Sequence, residues 1–191
     1  MPYTTQYGLP IGALYWGEVQ MLAQYSTGVN LSVELGTYCG LGAMVLSINS
    51  EQVVTIDVFE DVNLIDTNCI EHYTKLFKDF PHYYNVVKDE VLIYCANATV
   101  IKGLTYADYN YNNVDVLFID ADHSYEGVKR DFNAWFNKVS LNGVIILHDT
   151  YGQHNGGWVG CEQFANEQIG NNKLQLLERK YVSSVFRKVA Q

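Results

Sequence analysis

Three apolar runs that each end in polar residues predict an α/β fold: a Rossmann-like, mostly parallel sheet with helices on both faces and a C-terminal antiparallel hairpin. Val33–Leu35 runs into a glycine-bearing turn that closes at Gly40. Val114–Ile119 ends in Asp120, Asp122 and His123, and Val144–Leu147 ends in His148 and Asp149. Loops that leave the carboxyl ends of parallel strands converge on one edge of the sheet, so residues placed there can share a site.

Each element follows from its own pattern. Residues 11–26 bring Leu14, Val19 and Leu22 near helical spacing and predict an amphipathic lead-in helix within residues 1–28. Strand one is Leu31–Leu35, with a helix over Leu41–Asn49, and strand two, Gln52–Ile56, ends at Asp57. A helix is expected around Thr67–Phe80, stopped by Pro81, and another over Tyr84–Ala96, where Val87, Val91 and Cys95 recur four apart. Thr99–Lys102 is a short third strand closed by Gly103. Strand four, Val114–Ile119, leads to a helix from Tyr125 to Val139 that carries Val128, Phe132, Trp135 and Phe136 on one face, and strand five is Val144–Leu147. The glycine-rich stretch Tyr151–Gly160 reads as a loop at the site, before a helix near Cys161–Ile169. Leu174–Glu178 and Tyr181–Lys188 lie close enough to pair as a hairpin, giving one reversed edge strand. No repeat or linker interrupts this order, so the chain reads as one domain over 1–191.

Bulk properties narrow the function. With 191 residues the chain can bury a full sheet between two helix layers, and 48% hydrophobic against 17% charged residues is a globular balance. A net charge of −9 and the lack of any basic block argue against a nucleic-acid partner. Cys39, Cys69, Cys95 and Cys161 are scattered without CxxC spacing, which favours reduced, buried thiols over a disulfide framework or a zinc ribbon. The opening MPYTTQYGLP has no basic segment followed by an apolar core, and no run approaches the roughly 20 apolar residues of a membrane span. The expected location is cytoplasmic, with no membrane partner, and the sequon at Asn97 is read as accidental.

Two sites emerge from the strand ends. Around Glu34, Gly36, Thr37, Tyr38 and Gly40 a tight turn lets backbone approach a ligand. The spacing of Gly36, Gly40 and Gly42 does not fit GxGxxG, which counts against a dinucleotide. Asp57, about 20 residues on, suits the grip on a ribose diol or the capping of the next helix. Glu34, set in an apolar strand end, needs a partner: a ligand ammonium or neighbouring backbone amides. At the second site Asp120, Asp122, His123, His148 and Asp149 come from neighbouring strands and can bind a divalent cation. A buried, hydrogen-bonded His148–Asp149 pair and helix caps at Asp122 and His123 are the alternatives.

The stretch VELGTYCGLGA resembles the first cofactor motif of class I S-adenosylmethionine-dependent methyltransferases, especially its catechol O-methyltransferase form, acid-Leu-Gly-x-Tyr-Cys-Gly. The stretch VDVLFIDADHSYEGVKRDFNAWFNKVSLNGVIILHDT is similar to small class I enzymes that include sugar and antibiotic O-methyltransferases. The resemblance covers nearly all of the chain after residue 30. It implies S-adenosylmethionine as cofactor, with Glu34 facing the methionine amino group, Tyr38 the sulfonium region, Asp57 the ribose and Asp122 a further cofactor contact. By resemblance to the cation-dependent enzymes, Asp120, His148 and Asp149 would hold a divalent cation such as magnesium, and His123 would be the catalytic base. Relatives generally carry an acid at the position of His148, and imidazole suits softer metals. Gly42 replaces a hydroxyl residue common in relatives, and Leu104 stands where a polar residue is usual.

The expected function is therefore methylation of an oxygen on a small-molecule acceptor, with cation assistance. A nicotinamide-dependent oxidoreductase and a non-catalytic nucleoside-binding module are the rivals. His154, Tyr3, Tyr7 and Tyr15 are read as surface or packing residues before acceptor contacts, while His72 and His82 need no functional explanation. The aromatic N-terminal helix could pack against a second copy to make a homodimer.

Overall fold

The computed structural model describes residues 14–59, 80–151 and 158–191. The helix expected over 67–80 lies, apart from Phe80, outside these residues, as do Tyr3, Tyr7, Cys69, His72, His154 and most of the glycine-rich stretch after Tyr151.

Seven strands, β1 (Val29–Leu35), β2 (Ser50–Asp57), β3 (Ala98–Lys102), β4 (Val114–Ile119), β5 (Val139–Leu147), β6 (Leu174–Lys180) and β7 (Ser183–Lys188), form one sheet in the order β3-β2-β1-β4-β5-β7-β6. The first five are mutually parallel, and β7 is antiparallel to both β5 and β6. The hairpin is thus present, but its reversed strand slots between β5 and β6 instead of forming the edge. The described α-helices are α1 (Trp16–Ser26), α2 (Leu41–Asn49), α3 (Phe80–Asn85), α4 (Tyr125–Phe136) and α5 (Val159–Ile169). Among the described residues no helix is long and apolar enough to cross a membrane.

Side chains alternate across a strand, and this chain buries both faces. In β4, Val116 and Phe118 join Met21, Leu22, Ala43 and Leu46 in the core on the α1–α2 side. Leu117 and Ile119 join Phe132, Trp135 and Phe164 on the α4–α5 side. Trp135 also donates from Nε1 to the Thr105 carbonyl at 2.7 Å, which ties the loop after β3 to α4.

Two expected elements differ. The helix expected to reach Val139 stops at Phe136, and β5 begins at Val139. Its first residues pair with β4 across a bulge, with Asn142 in the left-handed region at φ 68°, so a segment that reads as a turn is the bent start of a strand. The helix expected over Tyr84–Ala96 is three short pieces: α3, a π-helical turn at Val86–Val91 and a 3₁₀ turn at Leu92–Tyr94.

Register sets the site. Leu35 is level with Ile56 of β2 and Ile119 of β4, and Ile119 with Leu147 of β5. The residues that follow these four strands therefore emerge side by side, where the sheet order departs in both directions from β1.

Candidate active site

The first half of the site is the turn between β1 and α2. Gly36 has φ +93° and donates its N–H to the Ile56 carbonyl at 2.8 Å. A side chain there would overlap the carbonyl of Asp120. Only glycine lets this turn lie against the end of β4, so both halves of the site share a wall. Asp57 organises the turn from the next strand: Oδ2 accepts from the N–H groups of Thr37 at 2.9 Å and Tyr38 at 3.1 Å, and Oδ1 from that of Phe59 at 3.0 Å. Burial raises the Asp57 carboxyl above the usual range, against the pull of these backbone bonds. The carboxylate thus acts first as the clasp of the turn.

Glu34 is 1% exposed and accepts from the Thr55 hydroxyl, which lies 2.6 Å from that of Thr37. Its partner is a side-chain hydroxyl, where ligand ammonium or backbone amides were the expectations. Burial lifts its pKa well above the ordinary value despite that bond. Gly42 now has a physical reason: a side chain at this position would overlap Glu34 Oε1. Tyr38 (φ 44°) and Phe59 (φ 51°) adopt left-handed backbone at the ends of β1 and β2, the kind of strain that concentrates where a turn must present groups to a ligand.

The second half gathers charge. His123 Nε2 lies 3.1 Å from Asp149 Oδ2 and 3.5 Å from Asp120 Oδ1. His148 Nδ1 lies 3.0 Å from the same Asp120 oxygen and 3.5 Å from the same Asp149 oxygen. Asp149 reaches inward from a left-handed backbone at φ 55°. Burial opposes charge on His123, but its bonds to Asp120 and Asp149 win and push the imidazole up to about 9. His148 is likewise raised well above its usual value, against burial, by Asp120, Asp149 and Glu18. Burial would raise Asp120 and Asp149, yet the two imidazoles hold both carboxyls below the usual range. The His123 ring stacks on Trp158, with centroids 4.3 Å apart.

These atoms fit a cation. Asp120, His123 and Asp149 each offer a donor atom within 4.8 Å of the others. Buried Nδ1 of His148, for all its nearness to two carboxylates, makes no aligned hydrogen bond. His123, expected as base, is thus part of the cluster, with His148 beside it. Asp122 stands apart: it accepts from Ser124 N at 2.9 Å and pairs with Arg130 at 3.3 Å. The cap of α4 is Ser124, whose hydroxyl accepts from Gly127 N at 3.0 Å.

Sequence reasoning missed Glu18, Thr55 and Trp158. Glu18 had a signal, since it lies three and four residues before Met21 and Leu22 on the buried face of α1. An acid on that stripe needs a partner. Trp158 had none, because stacking on His123 depends on where α5 begins.

An open sheet whose order turns at a glycine bend, with acids and imidazoles at the adjoining strand ends, defines a Rossmann-like α/β protein, an architecture whose ligands generally bind at the switch point. Residues 33–150 match the family model described as a methyltransferase domain, and the chain belongs to that family. An uncharacterised protein of Acanthamoeba polyphaga mimivirus is 30% identical over 124 residues, covering 61% of this chain and 50% of that protein. The chain thus spans about half the length of this curated relative. Among solved structures, an O-methyltransferase from Bacillus cereus in complex with SAH superposes with a TM-score of 0.62 at 15% identity, covering 97% of this chain and 86% of that one. An rRNA methylase from Streptococcus thermophilus gives 0.55 at 10% identity, covering 91% and 95%. At these identities the likeness is one of fold.

Proposed function

We propose that the chain is an S-adenosylmethionine-dependent methyltransferase that methylates a hydroxyl oxygen of a small molecule with help from a divalent cation. The observation that carries this reading is the shared wall at Gly36, which sets the glycine turn directly against Asp120. A methyl donor in the turn and an acceptor oxygen at the carboxylates would then be neighbours, and in-line transfer gains much of its rate from such alignment.

Backbone from Gly36 to Gly40 would line the donor, with Tyr38 toward the sulfonium, the exposed edge of Asp57 toward the ribose and Asp122 at the periphery. Glu34 would support this turn from beneath. Asp120, Asp149 and His148 would hold the cation, beside His123. Such an ion, when bound, lowers the pKa of a hydroxyl it touches. At neutral pH His123 carries its proton while both carboxylates face it, and so cannot serve as base in that state. Carboxylates that give their charge to a cation release the imidazole toward its ordinary pKa of about 6.5, where it can accept the acceptor's proton. Stacking on Trp158 keeps the ring in place meanwhile.

The net charge of −9 favours a small acceptor over nucleic acid. The described cysteines, Cys39, Cys95 and Cys161, are buried thiols, which suits a cytoplasmic location. Exposed Tyr15 and Trp16 are where a second copy would pack.

Calorimetry tests the reading. S-adenosylhomocysteine should bind and NADH should not; the reverse result overturns it in favour of an oxidoreductase. With a turnover assay in hand, His123→Ala should keep S-adenosylhomocysteine binding and lose about 10²–10⁴ in rate, the usual worth of a general base. Unchanged turnover would remove His123 from the chemistry.

A further inference from the structure

Glu18 is a buried carboxylate on α1, 1% exposed, and every contact it makes is with a donor. Oε1 receives His148 Nε2 at 2.9 Å and the Ser183 hydroxyl at 3.3 Å, while Oε2 receives the N–H of Tyr15 at 3.0 Å. A carboxylate surrounded by donors can only accept, so the His148 nitrogen that faces it is the N–H. The other nitrogen, Nδ1, is the buried atom without an aligned partner that lies 3.0 Å from Asp120 and 3.5 Å from Asp149.

We infer that Glu18 is a positioning residue: by holding the Nε2–H of His148 it leaves Nδ1 as the nitrogen that a cation would take in exchange for its proton, and so makes the site prefer a late first-row divalent ion to magnesium. The inference rests on the cation reading of the same cluster. Its chemistry is general. A ligating imidazole is oriented by the acceptor on its far nitrogen, and nitrogen donors favour ions such as cobalt(II) or zinc, while all-oxygen sites suit magnesium. Ser183 of β7 and the N–H of Tyr15, the cap of α1 itself, complete the carboxylate's own hydrogen bonding.

The test compares cobalt(II) and magnesium binding to the full chain by calorimetry. The wild type should bind cobalt more tightly than magnesium. Glu18→Ala should lose about 10–100-fold in cobalt affinity, the usual cost of removing such a partner, with magnesium affinity unchanged. Glu18→Gln, whose amide oxygen still accepts from Nε2, should retain cobalt binding. His148→Asp should abolish the preference. A loosened fold would weaken both ions together, and that result overturns the inference, as does a Glu18→Ala protein that binds cobalt like the wild type. If the wild type binds no divalent ion, the cation site itself falls. Nitrogen-15 NMR of the zinc-loaded wild type decides without any variant: His148 protonated at Nε2 and ligated through Nδ1 is expected, and ligation through Nε2 overturns the assignment.

Discussion

The two halves of the site use their carboxyl groups in opposite ways. On the β1–β2 side, Glu34 and Asp57 turn inward onto a threonine hydroxyl and onto backbone amides, and burial lifts both above the ordinary acid range. On the β4–β5 side, Asp120 and Asp149 face two imidazoles and are held below it. One half uses its carboxyls to hold a turn together. The other gathers charge beside a buried His148 nitrogen that makes no aligned hydrogen bond. An acid at a strand end is therefore no single kind of signal; its neighbours decide whether it becomes scaffold or ligand.

The sharpest way to break the comparison is at the wall between the halves. Gly36→Ala adds a methyl group against the Asp120 carbonyl in a backbone conformation that disfavours any side chain. A cost of about 3 kcal/mol or more is expected by urea denaturation, from overpacking and strain together. S-adenosylhomocysteine and cation binding should be lost in the same variant. Loss of only one would show that the halves do not depend on a common wall.

Gly42→Ser probes the scaffold half alone. It adds a side chain that crowds Glu34 Oε1, so a loss of about 2 kcal/mol is expected. Glu34→Asp, which draws the carboxyl back, should recover part of that loss in the double variant. Additive effects would mean that Glu34 and residue 42 do not share the space.

A pH-dependent effect tests whether burial alone keeps an acid near neutral. Asp131 of α4 is fully buried, accepts from the Thr105 hydroxyl at 2.6 Å, and is pushed by burial to about 6. The folded state therefore holds its proton more tightly than the unfolded chain. Its ionisation costs stability in full above about pH 6, and the cost fades as pH falls toward the unfolded value near 3.8. Asp131→Asn should gain on the wild type between pH 3 and pH 8, by about 3 kcal/mol at most. A difference that does not change with pH would show that Asp131 ionises freely.

Much of this molecule is legible in its sequence, and the reasons are local. Runs rich in apolar residues mark β1, β2 and β4, and the residues just past their ends needed only counting to be found. The start of β5 was hidden because Ser140, Leu141, Asn142 and Gly143 spell a turn, and a bulged strand uses the same residues. The role of Asp57 was half visible: its place could be read, but not the amides that converge on it. Glu18 could be read as a buried acid in need of a partner, but that partner could not be read, because His148 stands 130 positions away. Sequence patterns report neighbours along the chain, while this contact depends on which elements the sheet order brings together.

Ser183 meets Glu18 across 165 positions of chain. During synthesis the segments made first leave the ribosome first, and long-range contacts must wait for their later member. The wall behind His148 therefore cannot close until β7 has emerged, well after the glycine turn has its own partners. A nascent chain would hold the glycine turn before it holds the wall behind His148.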